Sequence, residues 1–440
     1  MTRRRHHELR ELLERRDLRQ LLWVRLAGQL GDGLFQTALI LVVFFDPNDA
    51  TSAAQAATAF AVLLLPFSLV GPFAGVFLDR WSRQRVLRDA NLVRAALVAV
   101  TGGLLAVLGD DALIVQGLAL VIISSNRFIL SALSAALPHV VQERQLVTAN
   151  ALTTTLGGGA FTLGAVVATV LRPLVGSGPE GGGRTSLVAA LAYCAAALLA
   201  SRIARRLLGP DHPPTTALRE ALAHVARGVA QGARHVRERG PAARALAAIS
   251  AHRFFYGLTT VATLLLYTPE GFVGAQFSGD SGFGGLIAVG GLAVLGGLTA
   301  ALVTPVVTRR WGTQRWIVVV FGSAAVAQLV FGLPYTHRAF LVAAYVLGFA
   351  AQAAKICVDT LLQESVADDF RGRVFSFYDT LFNVSFVAAA AASAVLLPAD
   401  GKSYLVISLV AGGYALTALV YGVATTRRAA QEPLEPIVER

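Results

Sequence analysis

The chain alternates between apolar runs of about twenty residues, the length a helix needs to cross a bilayer, and short polar interruptions. The runs fall at 20–45, 53–77, 86–108, 113–137, 148–173 and 185–203, then at 242–268, 282–308, 315–334, 339–363, 374–397 and 403–424. No stretch shows the period-two alternation of a membrane barrel. The pattern predicts an all-α polytopic membrane protein with twelve transmembrane helices in two six-helix halves. Its expected organisation is a cytoplasmic amphipathic N-terminal segment (1–19), an N-terminal bundle (20–203), a cytoplasmic linker (204–240), a C-terminal bundle (241–424) and a cytoplasmic tail (425–440).

The polar interruptions set orientation. Connections after odd-numbered runs, Asp46–Asp49, Gly109–Asp111 and Pro269–Asp280, are acidic or neutral. Connections after even-numbered runs carry Arg80 to Arg88, Arg205 with Arg206, Arg309 and Arg310 with Arg315, and Arg371 with Arg373. Short basic loops stay in the cytoplasm, so both termini are expected there, in a multi-pass cell-membrane protein. Leu9, Leu12, Leu13 and Leu18 among arginines read as an interfacial helix, with a solvated tail as the alternative. In the linker, Leu218, Leu222, Val225, Val229 and Val236 share one face, while Arg219, Arg227, Arg234 and Arg237 supply charge. That pattern predicts an amphipathic helix on an anionic leaflet; the alternative is a mobile linker.

Composition narrows the function classes. Of 440 residues 55% are hydrophobic and 15% charged, and the mean hydropathy is +0.60, which excludes an ordinary soluble domain. The net charge of +11 is spread among the loops, so it reads as topology and not as a nucleic-acid face. Cys194 and Cys357 fall inside apolar runs, as small core residues do. The sequence GKS at 401–403 has Leu396 where a phosphate-binding loop needs Gly, and no zinc-protease, paired Cys-x-x-Cys or serine-hydrolase motif occurs. No metal, cofactor or enzymatic activity is expected.

The stretch GVFLDRWSRQRVL (75–87) joins the second and third runs. Gly75 lets two helices approach, Asp79 can bond arginines or a helix start, and Arg80, Arg83 and Arg85 hold the loop in the cytoplasm. This Gly-x-x-x-Asp-Arg-x-x-Arg-x-Arg order resembles the loop 2–3 signature of major facilitator superfamily transporters, with Ser82 where the family usually has Gly and Gln84 where it has a basic residue. The segments ALPHVVQERQLVTANAL (136–152) and LLQESVADDFRGRVFSF (361–377) resemble its enterobactin-exporter and macrolide-efflux-like branch. The resemblance implies the major facilitator fold, with two pseudo-symmetric six-helix bundles, alternating access, and Gly75, Asp79, Arg80, Arg83 and Arg85 as a cytoplasmic gate.

Ionisable groups at bilayer depth are functional candidates because an uncompensated charge there is costly. These are Asp32, Arg127, Arg253, Lys355 and Asp359, as proton-coupling or cavity residues. Asp32 lies about 12 residues into the first run, near the midplane at ~1.5 Å per residue. Arg127 matches the arginine that the superfamily's drug–proton antiporters carry in span four, but without their Arg-x-x-Gln-Gly context. The fifth run, LGGGAFTLGAVV at 156–167, likewise lacks the antiporters' Gly-Pro pair. Lys355 and Asp359 share a face with Gln352 and can neutralise each other. Arg94 is expected to reach the cytoplasmic interface. Phe35, Gln36, Tyr256, Gln352 and Asn383 are candidate lining of a substrate cavity. Aligning Phe35 with Tyr256 sets Asp32 opposite Arg253, which predicts a direct or bridged pair; the alternative turns Arg253 to the interface with His252.

The expected function is secondary active transport, with proton-coupled export of a lipophilic or amphipathic small molecule, drug- or siderophore-like. Expected partners are the substrate, protons and membrane lipids, and the expected state is a monomer. The alternatives are a lipid or lysophospholipid flippase, a passive facilitator and, from another class, a non-transporting membrane sensor.

Overall fold

A computed structural model describes residues 14–45, 54, 58, 61, 71–78, 80–109, 113–142, 145–176, 178–209, 217–268, 271–273, 281–366 and 368–429. Every regular element among them is helical. In chain order these are α1 (Arg16–Phe45), α2 (Gly71–Leu78), α3 (Arg83–Leu108), α4 (Leu113–Ala136), α5 (Leu146–Val175), α6 (Gly178–Ser201) and α7 (Leu218–Glu238). They continue with α8 (Gly240–Leu266), α9 (Ser281–Trp311), α10 (Thr313–Ala327), α11 (His337–Ser365), α12 (Asp368–Leu396) and α13 (Tyr404–Ala429). Nine of the described helices are long and apolar enough to cross a membrane by length and composition. Helices α1 and α8 are not among these nine, and of the second expected span the described residues are 54, 58, 61 and those of α2. Val107, Leu113, Leu174, Leu302 and Val395 are each exposed by more than three quarters, as lipid-facing side chains are.

The chain divides into two compact units, Met1–Ala50 with Ala59–Arg227 and Thr51–Thr58 with Gly228–Arg440, so the main boundary falls inside α7. In the first, α1 packs on α5 and α6, α3 on α4 and α6, and α2 on α4. In the second, α8 packs on α12 and α13, α10 on α11 and α13, and α9 on α11. Each of these named pairs in the first unit has a counterpart in the second, so the two units share this packing scheme.

Small residues set the closest crossings. A Cβ on Gly33 of α1 would collide with the Phe161 carbonyl of α5, and one on Gly164 would collide with the Leu30 carbonyl in return. Gly102 of α3 and Gly183 of α6 meet in the same reciprocal way. These are the backbone approaches that stabilise helix pairs where water supplies no drive.

Several boundaries differ from the sequence expectation. Residues 16–19 already belong to α1, and Leu18 is fully buried, so they are not a separate interfacial helix. The segment 1–13 lies outside the described residues. Helix α6 starts at Gly178, inside a glycine-rich stretch expected as loop. There Gly182 fits against Val42 and Leu105, so tertiary packing overrides the poor helix propensity of glycine. Helix α10 ends in a π-turn, Gln328–Gly332, where Gln328 Nε2 donates to Thr259 Oγ1 of α8 at 2.8 Å.

The linker does contain a helix. Gln231 of α7 accepts from Arg373 Nη1 at 3.0 Å, and Gly232 lies against the Arg373 backbone. Just beyond α7, Arg239 Nη1 donates to the Ser365 carbonyl at 2.6 Å, satisfying an orphan acceptor at the end of α11.

Candidate functional site

In the first unit a carboxylate, a guanidinium and a phenol from three helices are bonded to one another. Arg94 of α3 donates Nη2 to Asp32 Oδ1 of α1 and, at 2.8 Å, to the Tyr193 hydroxyl of α6. Tyr193 in turn donates to Asp32 Oδ1 at 2.9 Å, and the Arg94 guanidinium lies 4.0 Å from the Tyr193 ring centroid. Asp32 and Arg94 are 1% exposed and Tyr193 is 0% exposed. Gln29, one turn earlier on α1, donates to Asp32 Oδ2 at 2.9 Å and to Asn126 Oδ1 of α4 at 3.5 Å.

The local sequence explains how the groups converge. Gly31 presses directly on the Tyr193 ring, and Gly33 brings α1 onto α5, so the two glycines flanking Asp32 seat it at the helix crossing. Asn91, one turn before Arg94, is fully buried and donates Nδ2 to the Leu87 carbonyl at 2.7 Å. The Nε and Nη1 atoms of Arg94 are buried with no acceptor among the described residues. The cluster therefore keeps unused donor capacity inside the bundle.

The arrangement corrects two expectations. Arg94 does not reach an interface: its chain turns inward because Asp32 needs a cation at that depth. Asp32, which the sequence reading set opposite Arg253, takes a partner from its own unit, Arg94. Sequence reasoning gave Arg94 an interfacial role and did not single out Tyr193; the available signal was charge balance, since an intramembrane carboxylate calls for a counter-charge on a neighbouring span. Phe35, expected to line a cavity, is fully buried in the core of α1, α3 and α6, since it lies almost one helical turn from Asp32 on the same inward face.

The second unit is built differently. Arg253 of α8 lies over the rings of Phe382 at 4.3 Å and Phe386 at 4.5 Å on α12, and 5.9 Å from Tyr256. His252 is buried, stacked on Phe321 at 5.6 Å and flanked by Tyr256 and Tyr414. It does not turn to an interface. On α11, Lys355 Nζ lies 2.9 Å from Asp359 Oδ2, and both side chains are part-exposed. Gln352 is half-buried on the same helix, and Asn383 donates to the Asp379 carbonyl at 2.9 Å. Gln36 is half-buried on α1. The Arg127 side chain lies outside the described residues.

Asp79 also lies outside them, as do the surroundings of Gly75, but the rest of the 75–87 loop is tied down. Arg83 Nη1 donates to the Ala135 carbonyl at 2.9 Å and the Leu208 carbonyl at 3.2 Å. Of the two residues that depart from the family pattern, Gln84 reaches the last turn of α6 and Ser82 the turn that follows it. Ser82 Oγ donates to the Arg205 carbonyl at 2.9 Å and Gln84 Nε2 to the Ala200 carbonyl at 2.8 Å. Arg80 Nη1 donates to the Val76 carbonyl at 3.0 Å, and Arg85 is exposed.

Comparison with known proteins agrees with this architecture. Residues 24–390 match the family described as Major Facilitator Superfamily. The chain is 37% identical over 387 residues to uncharacterised MFS-type transporters of Mycobacterium tuberculosis and Mycobacterium bovis, an alignment covering 88% of this chain and 86% of each relative. Among solved structures, a POT-family peptide transporter in complex with alafosfalin aligns with a TM-score of 0.67 at 11% identity, over 93% of this chain and 94% of that one. A bacterial homologue of the iron transporter ferroportin, in an inward-facing state, aligns at 0.62 with 16% identity, over 94% and 99%. At these identities the structural likeness concerns the fold.

Proposed function

Because the chain belongs to the Major Facilitator Superfamily, we propose that it is a proton-coupled secondary transporter exporting a lipophilic or amphipathic small molecule by alternating access. The observation that carries the coupling is Asp32, the one fully buried carboxylate among the described residues, bonded to Arg94 and Tyr193 of two other helices. A proton on Asp32 would cancel its charge and leave Arg94 without a counter-ion, favouring a rearrangement of α1 against α3 and α6. Tyr193, bonded to both groups, is placed to hold Arg94 while Asp32 is neutral. The likeness of 136–152 and 361–377 to the enterobactin-exporter and macrolide-efflux-like branch supports export. The basic loops support a cell-membrane location with both termini cytoplasmic.

A susceptibility screen in a host stripped of its own efflux pumps would supply a substrate, and flux would then be followed in proteoliposomes under an imposed pH gradient. Wild-type flux should follow the gradient and collapse with a protonophore, while Asp32→Asn should exchange substrate without responding to the gradient. Export unchanged by the protonophore would assign passive facilitation instead.

A further inference from the structure

The two units differ in charge balance. In the first, the buried guanidinium of Arg94 has a carboxylate. In the second, Lys355 has Asp359, but Arg253 has no acidic partner among the described residues. Its guanidinium sits over ring faces, and its Nε is buried with no acceptor. Rings attract the positive charge through their faces but accept few of the five N–H donors that a guanidinium carries in its plane. Arg253 as a whole residue is half-buried.

A planar, permanently charged fork that has no acidic partner among the described residues matches a carboxylate or phosphate. The apolar rings of Phe382 and Phe386 beside it suit the body of an amphipathic molecule. We propose that Arg253 is the anchor for the anionic head group of an amphipathic organic substrate, whose apolar part packs on Phe382, Phe386 and Tyr256. The inference rests on the transporter reading only for the fate of the ligand; the anion site itself is a statement about binding.

The test uses the full-length protein in phosphatidylcholine nanodiscs, with 1-naphthoate as anion, 1-naphthylmethanol as neutral and 1-naphthylmethylammonium as cationic probe. Equilibrium dialysis should show saturable binding of naphthoate, weakened about tenfold or more in Arg253→Gln, as expected for loss of a charge-assisted contact. Arg253→Lys, which keeps the charge but not the fork, should lose less. The neutral probe should not distinguish wild type from variants, and unaltered thermal unfolding should accompany each substitution. Naphthoate binding that is equal in wild type and Arg253→Gln, absent from wild type, or no stronger than that of the cation would overturn the proposal. Adding phosphatidylglycerol separates the two sources of this chemistry. Competition would assign the anion to a lipid head group, and unchanged affinity to a dissolved cargo. Proteoliposome flux keeps the readings apart: binding without flux would remove transport and leave the anion site, and flux indifferent to Arg253→Gln would do the reverse.

Discussion

Arg94 of α3 and Asp32 of α1 form an ion pair in which the two side chains are 1% and 2% exposed. Removing one member strands the other charge inside the bundle, whereas removing both does not. Arg94→Gln alone should therefore destabilise the protein by roughly 3–5 kcal/mol, and the double variant Asp32→Asn with Arg94→Gln should recover most of that loss. Denaturant unfolding in mixed micelles reads the cycle. Additive effects of the two substitutions would show that the pair is not coupled.

The Lys355–Asp359 pair offers a contrast within the same molecule. Its side chains are 41% and 30% exposed and one helical turn apart. Lys355→Met should change stability by less than about 1 kcal/mol in the same unfolding assay. A loss comparable to that of Arg94→Gln would mean the pair is more shielded than its exposure indicates.

The α1–α5 crossing is limited by backbone. Gly164→Ala places a methyl group on the Leu30 carbonyl and within 3.1 Å of the Gly33 Cα, so the helices must separate. The expected cost is roughly 1–3 kcal/mol, typical of overpacking. Gly159→Ala on the same helix is the control, since nothing lies within 4 Å of its added Cβ; it should be neutral or slightly stabilising. Equal melting temperatures for the two variants would contradict the crossing.

Arg83 joins the start of α3 to the carbonyls of Ala135 and Leu208. Arg83→Ala should loosen the turn after α6 and speed tryptic cleavage at the exposed Arg205 and Arg206. The lost charged hydrogen bonds are worth roughly 1.5–3 kcal/mol. Arg83→Lys should give an intermediate rate, because a point charge cannot serve both carbonyls in the same way. Cleavage at the wild-type rate in Arg83→Ala would leave the turn held by Ser82 and Gln84.

The sequence by itself determined the helical spans, their repetition in two halves and the basic loops. Each depends on local hydropathy and charge, which are read without knowing any partner. It also marked Asp32, Arg253, Lys355 and Asp359, because an ionisable residue within an apolar run is visible in one dimension. Pairing was decided only by the tertiary structure. The Lys355–Asp359 contact was legible because both residues lie on one helix, at a spacing that brings them together. Arg94 stands 62 positions from Asp32 and Tyr193 a further 99 along the chain, so their meeting depends on how α1, α3 and α6 cross. The same crossing seats Phe35 in the core and makes a helix of the glycine stretch at the start of α6. The second unit repeats the packing scheme, yet it surrounds Arg253 with rings and leaves it no described carboxylate. Repeated hydropathy places corresponding helices side by side, but only the residues at each crossing decide which charges meet.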